Sequence, residues 1–262
     1  MSEIKTPADI GLTREGHVAI VEIRRPPHNF FDIELIKGLA DAFEALDRDA
    51  GCRSIVLCAE GSAFCAGADF SRRERSVVPA AGQASNPLYD EAVRLFACAK
   101  PVVAAVQGPA VGGGLGLAMV ADFRVAAPQA RFCANFNRLG FHPGFGLSVT
   151  LPRAIGQQRA AMLFYTGRRI GGEEAVSIGL ADVLVPLEQL RAQAVELAQE
   201  IALSAPIAVR STRATLREGL ADQVRRAVAH EGAEQVKQWA TEDFKEGVAA
   251  MTERRPPRFQ GR

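Results

Sequence analysis

The stretch GPAVGGGLGLAMVAD, residues 108–122, decides the fold class because it joins a buried strand to a helix through bare backbone. Residues 101–107 before it predict a strand, and small apolar residues over 113–121 predict a helix that starts at the glycines. The first N–H groups of a helix lack partners within it, and glycine lets a ligand approach them closely. The stretch predicts either a turn that binds an oxyanion or phosphate, or close packing of helix on sheet.

Two nucleotide-binding motifs are excluded or weak at this turn. No Lys-Ser/Thr pair follows the glycines, which excludes a P-loop. The sequence GGGLG lacks a spaced third glycine, and no acidic residue follows a second strand at the dinucleotide-binding distance.

A second turn of the same character, GSAFCAGADF, occupies residues 61–70 after another predicted strand. Backbone donors from two such turns can bind one carbonyl oxygen, and this oxyanion hole would stabilise an enolate or a tetrahedral adduct. Cys65 lies in this turn, but its neighbours Phe64 and Ala66 offer no base to activate a thiol.

The remaining pattern favours an α/β core followed by a helical C-terminal part. Asp32 is predicted to cap a helix that runs to about Asp49, and the last third of the chain is mostly helical. Ser71 to Pro87 is polar and predicts a mobile loop. Further strands are predicted at 17–23, 54–59, 123–126, 131–133 and 182–185, and further helices at 87–99, 145–156, 157–166 and 172–179.

Composition indicates a globular protein of 262 residues with 48% hydrophobic residues and a formal net charge of +1. This charge favours neither a nucleic-acid partner nor an anionic membrane. No signal core or apolar run of spanning length is found, so a cytoplasmic location is expected. The five cysteines form no CxxC pair and are expected to be reduced, and no metal site is predicted.

The two glycine turns, with PVVAAVQGPAVGGGLGLAMVADFRVAA (101–127) as the longer match, resemble the crotonase (enoyl-CoA hydratase/isomerase) superfamily. The segments IRRPPHNFFD (23–32), TGRRIGGEEAVSIGLADVLVP (166–186) and ERRPPRFQGR (253–262) also resemble it, in the family's order. The resemblance implies a spiral of ββα units over residues 1–200 and a helical trimerisation region over 201–262. A homotrimer or hexamer is therefore expected.

The resemblance also implies roles for particular residues. Ala68 and Gly113 would donate the two N–H groups that bind a thioester carbonyl. No cofactor would be bound permanently, and coenzyme A would arrive as part of an acyl-CoA substrate. The residues expected along the substrate and CoA path are Arg25, His28, Ala66, Asp69, Gly112, Phe136 and Phe259, with Arg262 also reaching it from the tail.

One departure from the family bears on the reaction. Hydratases of this family use two glutamates, and Gly116 and Phe136 stand at the matching places in this chain. Hydration needs a positioned proton donor and acceptor, so ordinary hydratase activity is in doubt. His142 is a candidate replacement base, with Glu91 as the residue that orients it, and His28 is a third candidate.

Three functions remain open from the sequence. The first is a CoA-thioester enzyme with altered chemistry, such as a lyase, an isomerase or a hydratase of an unusual substrate. The second is a CoA-independent hydrolase of the carbon–carbon bond of β-diketones that uses His142 and Glu91. The third is a non-catalytic scaffold. An aromatic pocket is expected from Phe30, Phe31, Phe136, Phe141 and Phe145, although phenylalanine is also ordinary core material.

Overall fold

The computed structural model describes residues 6–68 and 86–262. The strands of this part are β1 (Ile10–Glu15), β2 (Val18–Ile23), β3 (Ser54–Ala59), β4 (Val102–Val106), β5 (Pro109–Val111), β6 (Phe123–Ala126), β7 (Arg131–Cys133), β8 (Arg169–Gly171) and β9 (Val183–Leu184). The helices are α1 (Ile33–Arg48), α2 (Pro87–Phe96), α3 (Gly113–Ala118), α4 (Leu147–Ile155), α5 (Gln157–Thr166), α6 (Gly172–Ser177), α7 (Leu190–Leu203), α8 (Pro206–Leu216), α9 (Leu220–Gln238) and α10 (Glu242–Glu253).

Two sheets organise the core. The larger has the order β1-β2-β3-β4-β6-β9, with β1 antiparallel to β2 and every other pair parallel. The smaller has the order β5-β7-β8, with β5 parallel to β7 and β7 antiparallel to β8. The predicted ββα order is therefore present: β4, β5 and α3 follow one another, and β6 and β7 lead into a 3-10 turn over Phe136–Leu139.

Both faces of the large sheet are buried, which explains why its central strands are almost wholly apolar. Alternate residues such as Ile55 and Leu57 join the main cluster beneath α1, whereas Val56 and Val103 pack against α7. Asp32 caps α1 as predicted, because its carboxylate accepts from the Leu35 N–H at 2.9 Å.

The C-terminal helices close one side of the molecule. Helix α9 packs on α2 and α4, and α10 packs on the 3-10 turn at Phe136–Leu139. Three large apolar side chains of α7 and α8 remain exposed in the single chain: Leu203, Ile207 and Leu216. The division of the chain at residue 200 and the trimeric or hexameric assembly stay predictions.

Three short strands were missed by the sequence patterns. β1 has one buried end and a polar remainder, IGLTRE, so its signal is weak. β5 and β8 have three residues each, too few for an alternating pattern to be recognised. The predicted loop at 71–87 lies mostly outside the described residues, and Pro87 itself begins α2.

Candidate active site

A cavity of 560 Å³ lies where the two glycine turns, the small sheet and helices α9 and α10 meet. The five phenylalanines expected to form an aromatic pocket all line it, so that expectation is confirmed: Phe30, Phe31, Phe136, Phe141 and Phe145. Ala66, Ala68, Gly112 and Gly113 line it as well. Both glycine turns therefore reach one space with largely aromatic walls.

The turn at residues 61–68 is held against β5 by backbone hydrogen bonds. The Cys65 N–H donates to Pro109 O at 2.9 Å, and the Val111 N–H donates to Cys65 O at 3.0 Å. On its other side, the Ala66 N–H donates to His28 O at 3.0 Å. These bonds fix the turn between the chain at His28 and the strand that leads into the second turn.

The glycines permit close packing and also leave the backbone free of side chains at the turn, which were the two interpretations that the sequence left open. A Cβ on Gly108 would lie 1.9 Å from Ser62 O, and one on Gly114 would lie 2.0 Å from Cys65 O, so these two glycines permit close packing of the turns. Gly112 adopts φ +56°, which favours glycine, and turns the chain into α3. The packing glycines thus bring the backbone of the two turns together.

Ala68 and Gly113 hold backbone N–H groups that no hydrogen bond between described residues uses. Gly113 is the first residue of α3, so its N–H has no partner within the helix. A Cβ built on Gly67 would lie 3.8 Å from Gly113 N, which shows how near the first turn comes to the second. Both residues line the cavity, so its wall includes two backbone N–H groups without a partner among the described residues.

Two amide side chains that the sequence analysis missed brace the first turn. The Asn29 Nδ2 group donates to Glu60 O at 2.8 Å and to Ala63 O at 2.7 Å. The Gln107 Nε2 group donates to Ala59 O and to Ala63 O, both at 2.9 Å. The sequence offered a signal for each residue. Asn29 closely follows the prolines at 26–27, and Gln107 directly precedes Gly108, so both flank predicted turns.

Aromatic side chains occupy the space at residues 116 and 136, where hydratases of the family have glutamates. A Cβ on Gly116 would lie 2.7 Å from Phe145 Cβ, so the Phe145 side chain fills that space. Phe136 itself lines the cavity and meets Phe141 edge to face at 5.5 Å between ring centroids. Among the lining residues that the structure describes, none is an aspartate or glutamate.

The loop that carries Phe145 is tied to a buried carboxylate on α9. Glu231 accepts from the Gly146 N–H at 2.8 Å, the Ser148 N–H at 3.0 Å and the Ser148 hydroxyl at 2.5 Å. Burial raises the pKa of Glu231, and these hydrogen bonds oppose the rise. Phe145 has φ +61°, a strained conformation for a side chain of this size, and these bonds hold the next residues in place.

A polar pair lies at the inner end of the cavity. The Tyr89 hydroxyl donates to Gln235 Oε1 at 2.8 Å, and Gln235 Nε2 donates to His142 O at 2.9 Å. Burial raises the pKa of Tyr89, so the hydroxyl stays protonated at neutral pH. One face of α9 carries Glu231 and Gln235, and Trp239 at the C-terminal cap continues the same spacing of four residues. Sequence analysis did not use this signal.

The structure does not bring His142 and Glu91 together. Neither is among the lining residues of the cavity. His142 Nδ1 lies 2.8 Å from Pro143 O, and its ring packs against His230 at 5.6 Å between centroids. Glu91 forms an ion pair with Arg94 on its own helix. His142, the predicted base, thus contacts Pro143, and Glu91, the predicted orienting carboxylate, pairs with Arg94. The expected pair of His142 and Glu91 is therefore not formed.

Some of the residues expected along the CoA path line the cavity, and others do not. His28 lines the cavity and is exposed at its edge, beside Phe30. Arg25 is not among the lining residues and forms ion pairs with Asp9 and Asp32. Phe259 is likewise outside the lining, because the tail folds back on α10 through Asp243. Asp69 lies outside the described residues.

Three further expectations concern thiols, metals and membranes. Cys65 is buried, which raises the pKa of its thiol to about 12, in agreement with its exclusion as a nucleophile. In the described residues, no group of three or more His, Cys, Asp or Glu side chains is placed to hold a metal ion. No helix in that part of the chain is long and apolar enough to cross a membrane.

Comparison with known proteins agrees with this geometry. The family model for enoyl-CoA hydratase/isomerase matches residues 13–262. A putative enoyl-CoA hydratase of Thermus thermophilus is 37% identical over 94% of this chain and 98% of its own length. A crotonyl-CoA hydratase of Syntrophomonas wolfei is 35% identical over 96% of this chain and 97% of its own length.

Solved structures show the same likeness in three dimensions. An enoyl-CoA hydratase/isomerase of Pseudoalteromonas atlantica superposes with a TM-score of 0.86 at 31% identity, over 96% of this chain and all of its own. The chain has the crotonase fold and belongs to the enoyl-CoA hydratase/isomerase family.

Proposed function

We propose that this protein binds an acyl-CoA thioester and stabilises its enolate with the backbone N–H groups of Ala68 and Gly113. The observation that carries the proposal is that Ala68 and Gly113 line one cavity and that no hydrogen bond between described residues uses their N–H groups. Two backbone donors in a site with little water stabilise a developing oxyanion strongly. Membership of the enoyl-CoA hydratase/isomerase family supports the thioester as the group that carries this oxygen.

The chemistry proposed for the bound thioester is that of a lyase. In a decarboxylating lyase step, the bond between the α-carbon and a carboxylate of the acyl group breaks, CO2 leaves, and the bonding electron pair stays on the α-carbon as the enolate. A proton from water then adds to the α-carbon, so no carboxylate of the protein has to activate water. The described lining fits such a step because it offers backbone donors and aromatic walls but neither aspartate nor glutamate. A double-bond isomerase is the second candidate, since His28 at the cavity edge is available to move a proton.

The other two functions receive less support from the geometry. The carbon–carbon hydrolase required Glu91 to orient His142, and these residues have separate partners. A scaffold has no evident need for a cavity of 560 Å³ whose wall carries two backbone donors unused by hydrogen bonds between described residues.

The experiment is a calorimetric titration with acetoacetyl-CoA, an analogue that readily forms an enolate, together with an assay of crotonyl-CoA hydration. We expect binding near the micromolar range, about −8 kcal/mol, and little or no hydration. Free CoA is the control, and it should bind more weakly because it has no carbonyl for the two donors. Absence of binding at millimolar acetoacetyl-CoA would contradict the proposal.

A further inference from the structure

The outer face of the small sheet carries two arginines into the cavity wall. Arg131 on β7 stands opposite Pro109 on β5 and Gly171 on β8, whereas Arg169 on β8 stands opposite Cys133. The residues between them, Phe132 and Ile170, are buried on the other face. Because side chains alternate along a strand, Arg131 and Arg169 share the outer face, and both line the cavity.

These two guanidinium groups have no carboxylate partner within the described residues. Arg131 donates to the carbonyl oxygens of Pro128 and Ala130 at 2.9 and 2.7 Å, and Arg169 lies against the Cys133 thiol. Residues that are diagonal neighbours on a sheet lie about 7–8 Å apart, a distance at which like charges repel each other. Within residues 6–68 and 86–262, the two cations therefore stand side by side without a carboxylate that compensates their charge.

Three arginines close to Arg169 or to the expected CoA path do have carboxylate partners. Arg168, one residue before β8, pairs with Glu174 at 2.7 Å and is absent from the cavity lining. Arg24 pairs with Glu22 at 2.8 Å, and Arg25 is held between Asp9 and Asp32. Arg25, which sequence analysis assigned to the CoA path, thus has counter-charges, whereas the two arginines in the cavity wall have none in the described part of the chain.

The distance from the two backbone donors fits a charged group at the far end of a ligand. Val111 precedes Gly113 by two residues, and Arg169 lies two strand spacings, about 10 Å, from Val111. Both arginines are exposed, whereas the aromatic end of the cavity is buried. A thioester with its acyl group among the phenylalanines would direct its CoA part to this open side.

We infer that Arg131 and Arg169 form an anion-binding subsite for an oxyanion of the thioester substrate. Guanidinium groups bind phosphate and carboxylate alike through charge-assisted hydrogen bonds. Their place at the open side favours a phosphate of CoA over a carboxylate on the acyl group. This inference rests on the proposed function, because the thioester carbonyl at Ala68 and Gly113 sets the ligand's direction.

The test compares wild type with the double variant Arg131→Ala/Arg169→Ala on three ligands. These are acetoacetyl-CoA, acetoacetyl-pantetheine, which lacks phosphates, and a pantetheine thioester whose acyl group ends in a carboxylate. Arg168→Ala is the matched control, since it removes an exposed arginine outside the cavity. A second double variant, Arg131→Lys/Arg169→Lys, shows whether charge alone restores affinity. Native mass measurements on every variant report the assembly.

We expect the alanine double variant to lose affinity for acetoacetyl-CoA roughly tenfold to a hundredfold, the range for charge-assisted hydrogen bonds, and to bind acetoacetyl-pantetheine like wild type. A loss confined to the carboxylate-bearing thioester would also support the subsite and would assign it to the acyl group. Equal affinity of wild type and variant for all three ligands would overturn the inference. So would a change of assembly in the variant, which would make these arginines contacts between subunits. Failure of wild type to bind acetoacetyl-CoA would instead overturn the proposed function and the inference with it.

Discussion

The side chain of Phe145 fills the space into which a side chain at Gly116 would project. A Cβ on Gly116 would meet Phe145 Cβ and Cδ1 at 2.7 Å, and Phe145 itself holds φ +61°. The pair explains how α3 can lack a side chain at this point without leaving a hole beside the cavity. It also means that a carboxylate introduced here by a single substitution would be forced against Phe145.

We predict that Gly116→Glu destabilises the protein by about 1–3 kcal/mol, the usual cost of overpacking a core. In a Phe145→Gly background the same substitution should cost less, because the opposing ring is gone and glycine accepts the positive φ. Urea denaturation of the wild type, both single variants and the double variant forms a cycle that measures this coupling. Strictly additive free energies would show that the two side chains do not compete for one space.

Asp122 is predicted to be the most sensitive carboxylate of the core. It accepts from the Val102 N–H, Arg213 Nε and Arg217 Nη1, each at 2.8 Å. Two arginines of α8 and its C-terminal cap thus converge on one carboxylate. Asp122→Asn should lower the free energy of unfolding by about 3–5 kcal/mol, since it leaves two largely buried guanidinium groups without a counter-charge.

Asp222→Asn is the matched control for that prediction. Its carboxylate pairs with Arg225 on the exposed face of α9, and exposed pairs contribute about 0–1 kcal/mol. Both variants can be compared by chemical denaturation at one pH. Similar losses for the two would contradict the role assigned to Asp122.

The stability contributed by Glu231 should depend on pH with a definite sign. Because burial raises its pKa above the ordinary 4.5, the folded protein holds this proton more tightly than the unfolded chain. The stability that Glu231 contributes is therefore complete below pH 4.5, and it declines as the pH rises through the pKa of Glu231 in the folded protein. The stability difference between wild type and Glu231→Gln should shrink between pH 4.5 and neutrality. A difference that grows over this range would mean that hydrogen bonds from Gly146 and Ser148 outweigh burial.

The sequence predicted the fold class and the two glycine turns because their signals are local. Strands such as β4, the cap at Asp32 and the turn at Gly112 each follow from a few adjacent residues. The five phenylalanines of the cavity were also expected, because their aromatic side chains suggested an apolar pocket.

The rest of the site depends on distant contacts that no local pattern reveals. Gln235 reaches the cavity, and Glu231 reaches the loop that follows Phe145, only because α9 packs on α2 and α4. Arg94 engages Glu91 and so separates it from His142, although sequence order alone left both free to meet. Arg131 and Arg169 share a sheet face through the pairing of β7 with β8, and β8 itself was too short to predict.

The most direct test of the central claim removes one backbone donor and leaves the turn's own bonds intact. Ala68→Pro deletes the N–H of residue 68, whereas the nearby bond from the Phe31 N–H uses Gly67 O and needs no donor at Ala68. Ala68→Ser is the control, because it keeps the N–H with a side chain of similar size. The measurement is the ultraviolet absorbance of the enolate of bound acetoacetyl-CoA.

Wild type and Ala68→Ser should increase the enolate absorbance on binding, and Ala68→Pro should abolish the increase while retaining the circular dichroism spectrum of the fold. Losing one oxyanion-hole donor costs about 3–4 kcal/mol in comparable sites, which is enough to return the bound ligand to its keto form. An undiminished enolate signal in a folded Ala68→Pro variant would contradict the assignment of Ala68 and Gly113 as the oxyanion hole.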